Sequence, residues 1–373
     1  MREDASNDKL KTLICVTGCG GGHQASAEAL VATLGEGVPG ECEIVNIQPL
    51  IDPQAEYFYN EWILKRGFSR FYWPWGVWYY RLYLRVFKKR IVRKLEALWR
   101  ERQPDQVISC MPFVNSLILE SLSKFGEIPF KILATDFSNP YPEYWYAKMP
   151  IAAYALPNRN FEAPRDSSEI FYFSGPLVRP EFLVRNTSNT NPSSEIASSA
   201  LNPDTFTALI LFGAYASSII QEILLRLDQS GRQFVVLCGK NESLKQWIEA
   251  RDFKSNVVAV GFTRDVASWM QVADCFIGKP GPGSAWEALL SGLPLMLYED
   301  ATIMKQELPV SDFVKEHALG LTFTLQTINE VYDKVFEGQA DYCARIDKIE
   351  REDPGSKLRQ FYSYGMVDAI GLR

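Results

Sequence analysis

The chain has 373 residues, 47% of them hydrophobic, and a net charge of −6. That length suggests two domains with ample cores, and the acidic balance argues against a protein built around nucleic acid. Seven scattered cysteines without a CxxC pair, a polar start (MREDASNDKLK) and no apolar run of about 18 residues exclude a disulfide scaffold, a zinc module, a signal-peptide core and a spanning helix. Reduced thiols in a cytoplasmic protein are expected.

Thr12–Thr17 predicts a short buried strand. Gly18, Gly20, Gly21 and Gly22 follow as a turn almost without side chains, and Ala25–Leu30 opens a helix of small and apolar residues. Strand, glycine turn and helix aim backbone N–H groups at a ligand, although tight strand–helix packing alone also calls for glycine. His23 stands at the tip of the turn and is one of only two histidines. It is the first candidate for chemistry, as an imidazole able to move a proton near neutral pH. Cys42–Ile47 reads as a second strand.

Tyr57–Arg102 departs from the rest in composition. It holds 15 aromatics, five of the nine tryptophans among them, and twelve Lys or Arg against three acids. Amphipathic helices with inward aromatics and solvated bases would explain it. So would a segment lying on an anionic bilayer, with Trp62, Trp73, Trp75 and Trp78 at headgroup level and Arg81, Arg85, Lys88, Lys89 and Arg90 on lipid phosphates. Nucleic acid fits the composition, but no RNA- or DNA-binding module accompanies it. The membrane reading is preferred, and Pro74 and Gly76 predict an exposed elbow that breaks the helix.

Gln106–Cys110 and Phe130–Thr135 are predicted strands on either side of a Pro112–Phe125 helix. Asp136 follows the second strand, where a parallel sheet presents ligand-facing groups; a turn or helix cap explains it equally well. Ala152–Leu156 and Ile170–Phe173 complete the first set of strands. Residues 186–204, rich in Asn, Ser, Thr and Pro, predict a linker or mobile loop.

The same grammar then restarts, with strands Phe206–Phe212, Gln233–Cys238, Val257–Val260 and Asp274–Ile277. A turn from Gly213 to Ser218 follows the first, and Gly261 and Phe262 follow the third. Gly278–Pro294 (GKPGPGSAWEALLSGLP) is the second dense site. Gly281 and Gly283 let a phosphate approach, and Ser284 is placed as the helix N-cap. Glu287, one turn in, would accept from two ribose hydroxyls or answer the helix dipole. Gln306 and Glu307 suit sugar hydroxyls or a solvated helix start. Together these units predict two doubly wound α/β domains, 1–185 and 205–355, facing a cleft. A final helix within 356–373 would pack back on the first domain.

These residues resemble a known family. TGCGGGHQASAEAL, ATDF, SGPLVRPEF, GKPGPGSAWEALLSGLP and KQE occur in the order seen in diacylglycerol glycosyltransferases. These are the monogalactosyldiacylglycerol synthases of plastids and the bacterial diacylglycerol glucosyltransferases. The peptidoglycan lipid-intermediate N-acetylglucosaminyltransferase is a more distant relative. The resemblance runs from about Leu13 to Gly320. It implies the GT-B architecture of two Rossmann-like domains, the first taking a lipid acceptor at a membrane and the second a UDP-sugar. It implies inverting transfer of a hexose without a metal ion or other cofactor.

By motif position His23 matches the family's proposed base and Asp136 an assisting acid. Gly20, Gly21 and Gly22 make the acceptor-side loop. Gly213, Ser217, Gly261, Phe262, Gly281, Gly283 and Ser284 fall on the donor side, Glu287 on the ribose ligand, and Gln306 and Glu307 on the sugar-binding pair. Tyr215 stands in a turn usually richer in glycine, and Val310 where the family usually has Asn. The expectation is a peripheral membrane hexosyltransferase of the cytoplasm. Its partners would be a UDP-sugar, a diacylglycerol-like acceptor and an anionic membrane surface. A UDP-sugar epimerase on the same architecture and a non-catalytic lipid- or nucleotide-binding relative are the alternatives.

Overall fold

A computed structural model describes residues 10–366 except 20, 36–37, 39, 66–68, 139–143, 163, 184–195, 197–199, 214–218 and 301–302; it also leaves out the side chains of 64–65 and 69–74. The first sheet contains β1 (Lys11–Val16), β2 (Glu41–Asn46), β3 (Gln106–Ser109), β4 (Phe130–Leu133), β5 (Ala153–Leu156) and β6 (Glu169–Tyr172), all parallel, in the order β2-β1-β3-β4-β5-β6. The second contains β7 (Thr207–Leu211), β8 (Gln233–Leu237), β9 (Asn256–Val260), β10 (Cys275–Gly278), β11 (Leu295–Tyr298) and β12 (Gly320–Phe323). These too are parallel, in the order β12-β11-β10-β7-β8-β9. Strands such as β3, β4, β5, β8 and β10 are buried along their whole length. Helices cover both faces of such a sheet, which is why its strands read as unbroken apolar runs. Every predicted strand is present within two residues of its expected ends, whereas β11 and β12 have no counterpart among the predicted strands.

In each sheet the strand order reverses once, between β1 and β3 and between β7 and β10. Loops leaving the carboxyl ends of such a pair diverge and open a crevice. The glycine turn after β1 borders the first crevice. Gly213 after β7 and Lys279–Gly281 after β10 border the second.

Six α-helices shape the crevices and the surfaces beside them: α1 (Gly22–Leu34), α2 (Ser69–Val86), α3 (Lys88–Arg102), α4 (Pro282–Leu290), α5 (Leu308–Glu316) and α6 (Gly355–Ser363). A π-helix, Phe58–Lys65, precedes α2. Ile91, Val92, Leu95, Leu98 and Trp99 form a buried stripe on α3 at helical spacing and close one face of the first sheet. Ala27, Leu30 and Leu34 of α1 close the other, together with Leu358, Phe361 and Tyr362 of α6. The last described helix thus lies on the first sheet. At that seam the fully buried Lys131 donates to Gln106 Oε1 at 2.7 Å and to the Tyr362 carbonyl. Tyr362 Oη in turn pairs with Thr12 Oγ1 at 2.7 Å.

Two local expectations are corrected. Helix α2 runs unbroken through Pro74 and Gly76. Pro74 falls in the second turn and forfeits only the ladder bond back to residue 70, and no elbow forms. Ser284 is not an N-cap: α4 starts at Pro282, whose missing N–H costs nothing in the first turn, and Gly281 occupies the cap position. Of the expected linker, Ile196 is buried in the core of the second domain, and 186–195 and 197–199 lie outside the described residues.

Candidate active site

Helix α1 begins directly behind the glycine turn because Gly21, at φ 101°, takes the left-handed backbone that ends the turn. His23 is the second residue of that helix. Its Nδ1 lies 3.0 Å from Thr135 Oγ1, and its ring centroid is 6.3 Å from that of Trp145. Burial pushes the imidazole down to about 4, against a hydrogen bond to the Cys110 backbone that pulls it up. The ring is therefore neutral at physiological pH.

Asp136 leaves the carboxyl end of β4, one residue past Thr135. The fully buried Trp145 donates its Nε1–H to Asp136 Oδ2 at 2.7 Å, and Asn115 Nδ2 holds the Trp145 carbonyl at 2.8 Å. Burial raises Asp136 to about 7, the Trp145 hydrogen bond lowers it, and the charge of Glu307 raises it further. That last influence crosses between the domains, since Glu307 caps α5 in the second.

Around the second crevice, Gly213 turns at φ 77°, and a Cβ placed there would sit 3.9 Å from Lys279 Cε. A Cβ on Gly281 would sit 3.6 Å from the same atom. Lys279 thus lies between the two turns, and its ammonium is ion-paired with the buried Glu307. Gln306 Oε1 is buried without a hydrogen-bond partner among the described residues, the state of an acceptor awaiting a donor. Glu287 faces Arg179, with Nη2 at 3.5 Å from Oε1. Burial raises Glu287 to about 7, Arg179 draws it down, and Glu181 pushes it up. Gly283 has open space around it. Phe262, next to Gly261, is 61% exposed beneath the Lys240 ammonium, 5.9 Å from its ring centroid. Ser217 and Gly20 lie outside the described residues.

The two crevices meet. Helix α1 touches α4, Phe137 packs at 5.9 Å from Trp286 and 5.0 Å from Phe313, and Tyr59 Oη reaches Met304 Sδ at 3.3 Å. Trp286 lies so close over Gly175 that no side chain fits at that position. His23 and Asp136 are thereby gathered on one side of the cleft, with Lys279, Gln306 and Glu307 on the other. Sequence reasoning missed Trp145, Arg179 and Lys279. Lys279 had a signal, as the lone charge in GKPGPGS; the roles of Trp145 and Arg179 exist only in the fold.

The aromatic–basic segment divides its side chains. Val77 and Leu84 are buried, and Tyr80 and Tyr83 pack on the core. Trp75, Trp78 and Tyr79 are exposed to 73%, 60% and 60%, and Leu82, Val86 and Phe87 continue the exposed stripe. Arg81, Arg85, Lys89 and Arg90 are exposed beside it. Arg81 also lies over the Tyr144 ring, and Lys88 pairs with Glu120 at 2.7 Å. Trp62 is exposed on the π-helix, and the Trp73 side chain lies outside those described. Among the described residues no helix is long and apolar enough to cross a membrane.

Residues 213–322 match the glycosyltransferase family 28 C-terminal domain. The paired parallel sheets have the GT-B architecture, and the matched domain is one named for glycosyltransferases. The chain is similar to the monogalactosyldiacylglycerol synthases. It is 28% identical over 336 residues to the chloroplastic enzyme of that name from Spinacia oleracea, covering 83% of this chain and 63% of that protein. Against monogalactosyldiacylglycerol synthase 1 of Arabidopsis thaliana it is 26% identical over 341 residues, covering 83% and 61%. The chain therefore spans under two thirds of the length of either relative. Among solved structures, Acinetobacter baumannii MurG superposes with a TM-score of 0.58 at 11% identity, covering 94% of this chain and 98% of that one. The spinosyn rhamnosyltransferase SpnG gives 0.59 at 10%, covering 95% and 100%. Both likenesses concern the fold.

Proposed function

We propose that the protein is an inverting glycosyltransferase that moves a hexose from a UDP-sugar to the hydroxyl of a diacylglycerol-like lipid at a membrane surface. The observation that carries this reading is the Asp136 carboxyl, held by Trp145 opposite the Lys279–Glu307 pair, where burial raises it to about 7. A base of that strength takes the acceptor proton at neutral pH as the hydroxyl attacks the anomeric carbon. His23, held down at about 4, is the weaker base of the two. It orients Thr135, the residue before Asp136.

The leaving UDP gains negative charge on its diphosphate. Lys279, between the Gly213 and Gly281 turns, and the N-terminus of α4 answer that charge. Glu287 receives ribose hydroxyls after exchanging its contact with Arg179, and Gln306 Oε1 accepts from the hexose. The exposed aromatic and basic side chains of α2 and α3 supply the membrane contact, with anionic lipid attracting each base by roughly 1 kcal/mol. An epimerase would have no use for that face. The likeness to the plant monogalactosyldiacylglycerol synthases supports a diacylglycerol acceptor.

UDP release measured with and without diacylglycerol in vesicles, together with mass analysis of the lipid, tests the reading. Lipid-dependent release with a hexosylated product is expected, and Asp136→Asn should lower it about a hundredfold or more. Release indifferent to lipid, or full activity in Asp136→Asn, would refute it.

A further inference from the structure

We propose that Glu56 makes the glycine turn of the first domain select an uncharged lipid hydroxyl over a phosphorylated lipid. This rests on the proposed transfer to lipid and narrows its acceptor class. A glycine turn ahead of a helix ordinarily offers N–H groups to an anion. Here the chain uses two of them itself. Gly18 N–H donates to Glu56 Oε1 at 2.8 Å, and Cys19 N–H donates to Thr17 Oγ1 at 3.1 Å. Asn46 Nδ2 holds the same Glu56 oxygen at 2.6 Å, and Asn60 Nδ2 donates to the Gly18 carbonyl at 2.9 Å.

The carboxyl lies so near that a Cβ on Gly18 would meet its two oxygens at 2.7 and 2.8 Å. Glycine at 18 is thus a fit to this carboxyl. Cys19 feels the charge: burial first, then Glu56 and Asp52, push its thiol up to about 11, against a hydrogen bond to Thr17. Helix α1 has no acid in its first turn and no side-chain cap, and of the two acids that act on Cys19, Glu56 is the one that holds the turn's backbone. It is half-buried, where screening is weak. A phosphate or diphosphate over the turn is repelled. A neutral hydroxyl is not, and it can donate to the carboxyl.

The test compares the calorimetric affinities of dihexanoylglycerol and dihexanoyl phosphatidate on the full chain as wild type, Glu56→Gln and Glu56→Ala, with product formation followed on dihexanoylglycerol alone. Glu56→Gln keeps an oxygen for Gly18 N–H and removes only the charge; Glu56→Ala also frees the N–H. The preference for the neutral lipid should fall about tenfold or more in Glu56→Gln and further in Glu56→Ala. The basic face is common to all the proteins and cancels in the comparison. A preference unchanged within about twofold overturns the assignment. If the preference shifts while no protein forms product, selection by charge stands and the transfer reading falls.

Discussion

Asp136 and His23 are perturbed in opposite directions by one cause. Desolvation disfavours whichever form is charged, so the carboxyl rises to about 7 and the imidazole falls to about 4. Of the two, only Asp136 then titrates within the working range. Because a base must be deprotonated to act, kcat/KM is expected to climb with pH and level off above about 7, with no second inflection near the ordinary histidine value. Trp145→Phe removes the hydrogen bond that favours the carboxylate. It should move the inflection to higher pH and leave the affinity for UDP unchanged; an unmoved inflection would detach Trp145 from the base. His23, Asp136 and Glu287 were visible in the sequence as sparse polar groups next to glycine turns or strand ends, and Glu307 as half of a polar pair at a helix start. Trp145 was not, because it stands nine residues from the carboxyl it holds and no spacing rule links the two.

At the scale of the element, α2 shows what periodicity can and cannot settle. Its aromatics follow a helical repeat, which fixes that one face packs, yet aromatic residues crowd both faces. The fold resolves this by burying Val77 and Leu84 and leaving Trp75, Trp78, Tyr79 and Leu82 outside. Replacing Trp75 and Trp78 together with Ser should weaken flotation with anionic vesicles about tenfold or more while far-ultraviolet circular dichroism stays the same. Reversing Arg85 and Lys89 to Glu should remove the salt dependence of what binding remains. Vesicle binding indifferent to both changes would return the stripe to ordinary surface. Pro74 misled because a breaker rule weighs one lost hydrogen bond and not the packing of the whole helix. β11 and β12 escaped because four-residue apolar runs such as LMLY carry no period of their own.

For the molecule as a whole, the two-sheet plan was legible because strands buried on both faces announce themselves. The seam between α6 and the first sheet was less so, since its central residue is a lysine. Burial lowers Lys131 to about 7, whereas the unfolded chain keeps it near 10.5. Between those values the unfolded state binds more protons, so this group makes the fold more stable as pH rises from about 7 to 10. Lys131→Met should flatten that rise in denaturant titrations, since methionine fills similar space and does not titrate. A wild-type slope that persists in the variant would place the titration elsewhere.

Helix α6 also imposes an order on biosynthesis. Leu358, Phe361 and Tyr362 complete a layer that begins with Ile14 and Val16, so the ribosome makes the foundations of that layer first and its lid last. The amino-terminal half must wait with part of one face of its sheet uncovered, the part beside α1, until roughly two hundred further residues have emerged. Over that interval, nascent-chain chaperones would meet a half-covered sheet rather than a finished domain.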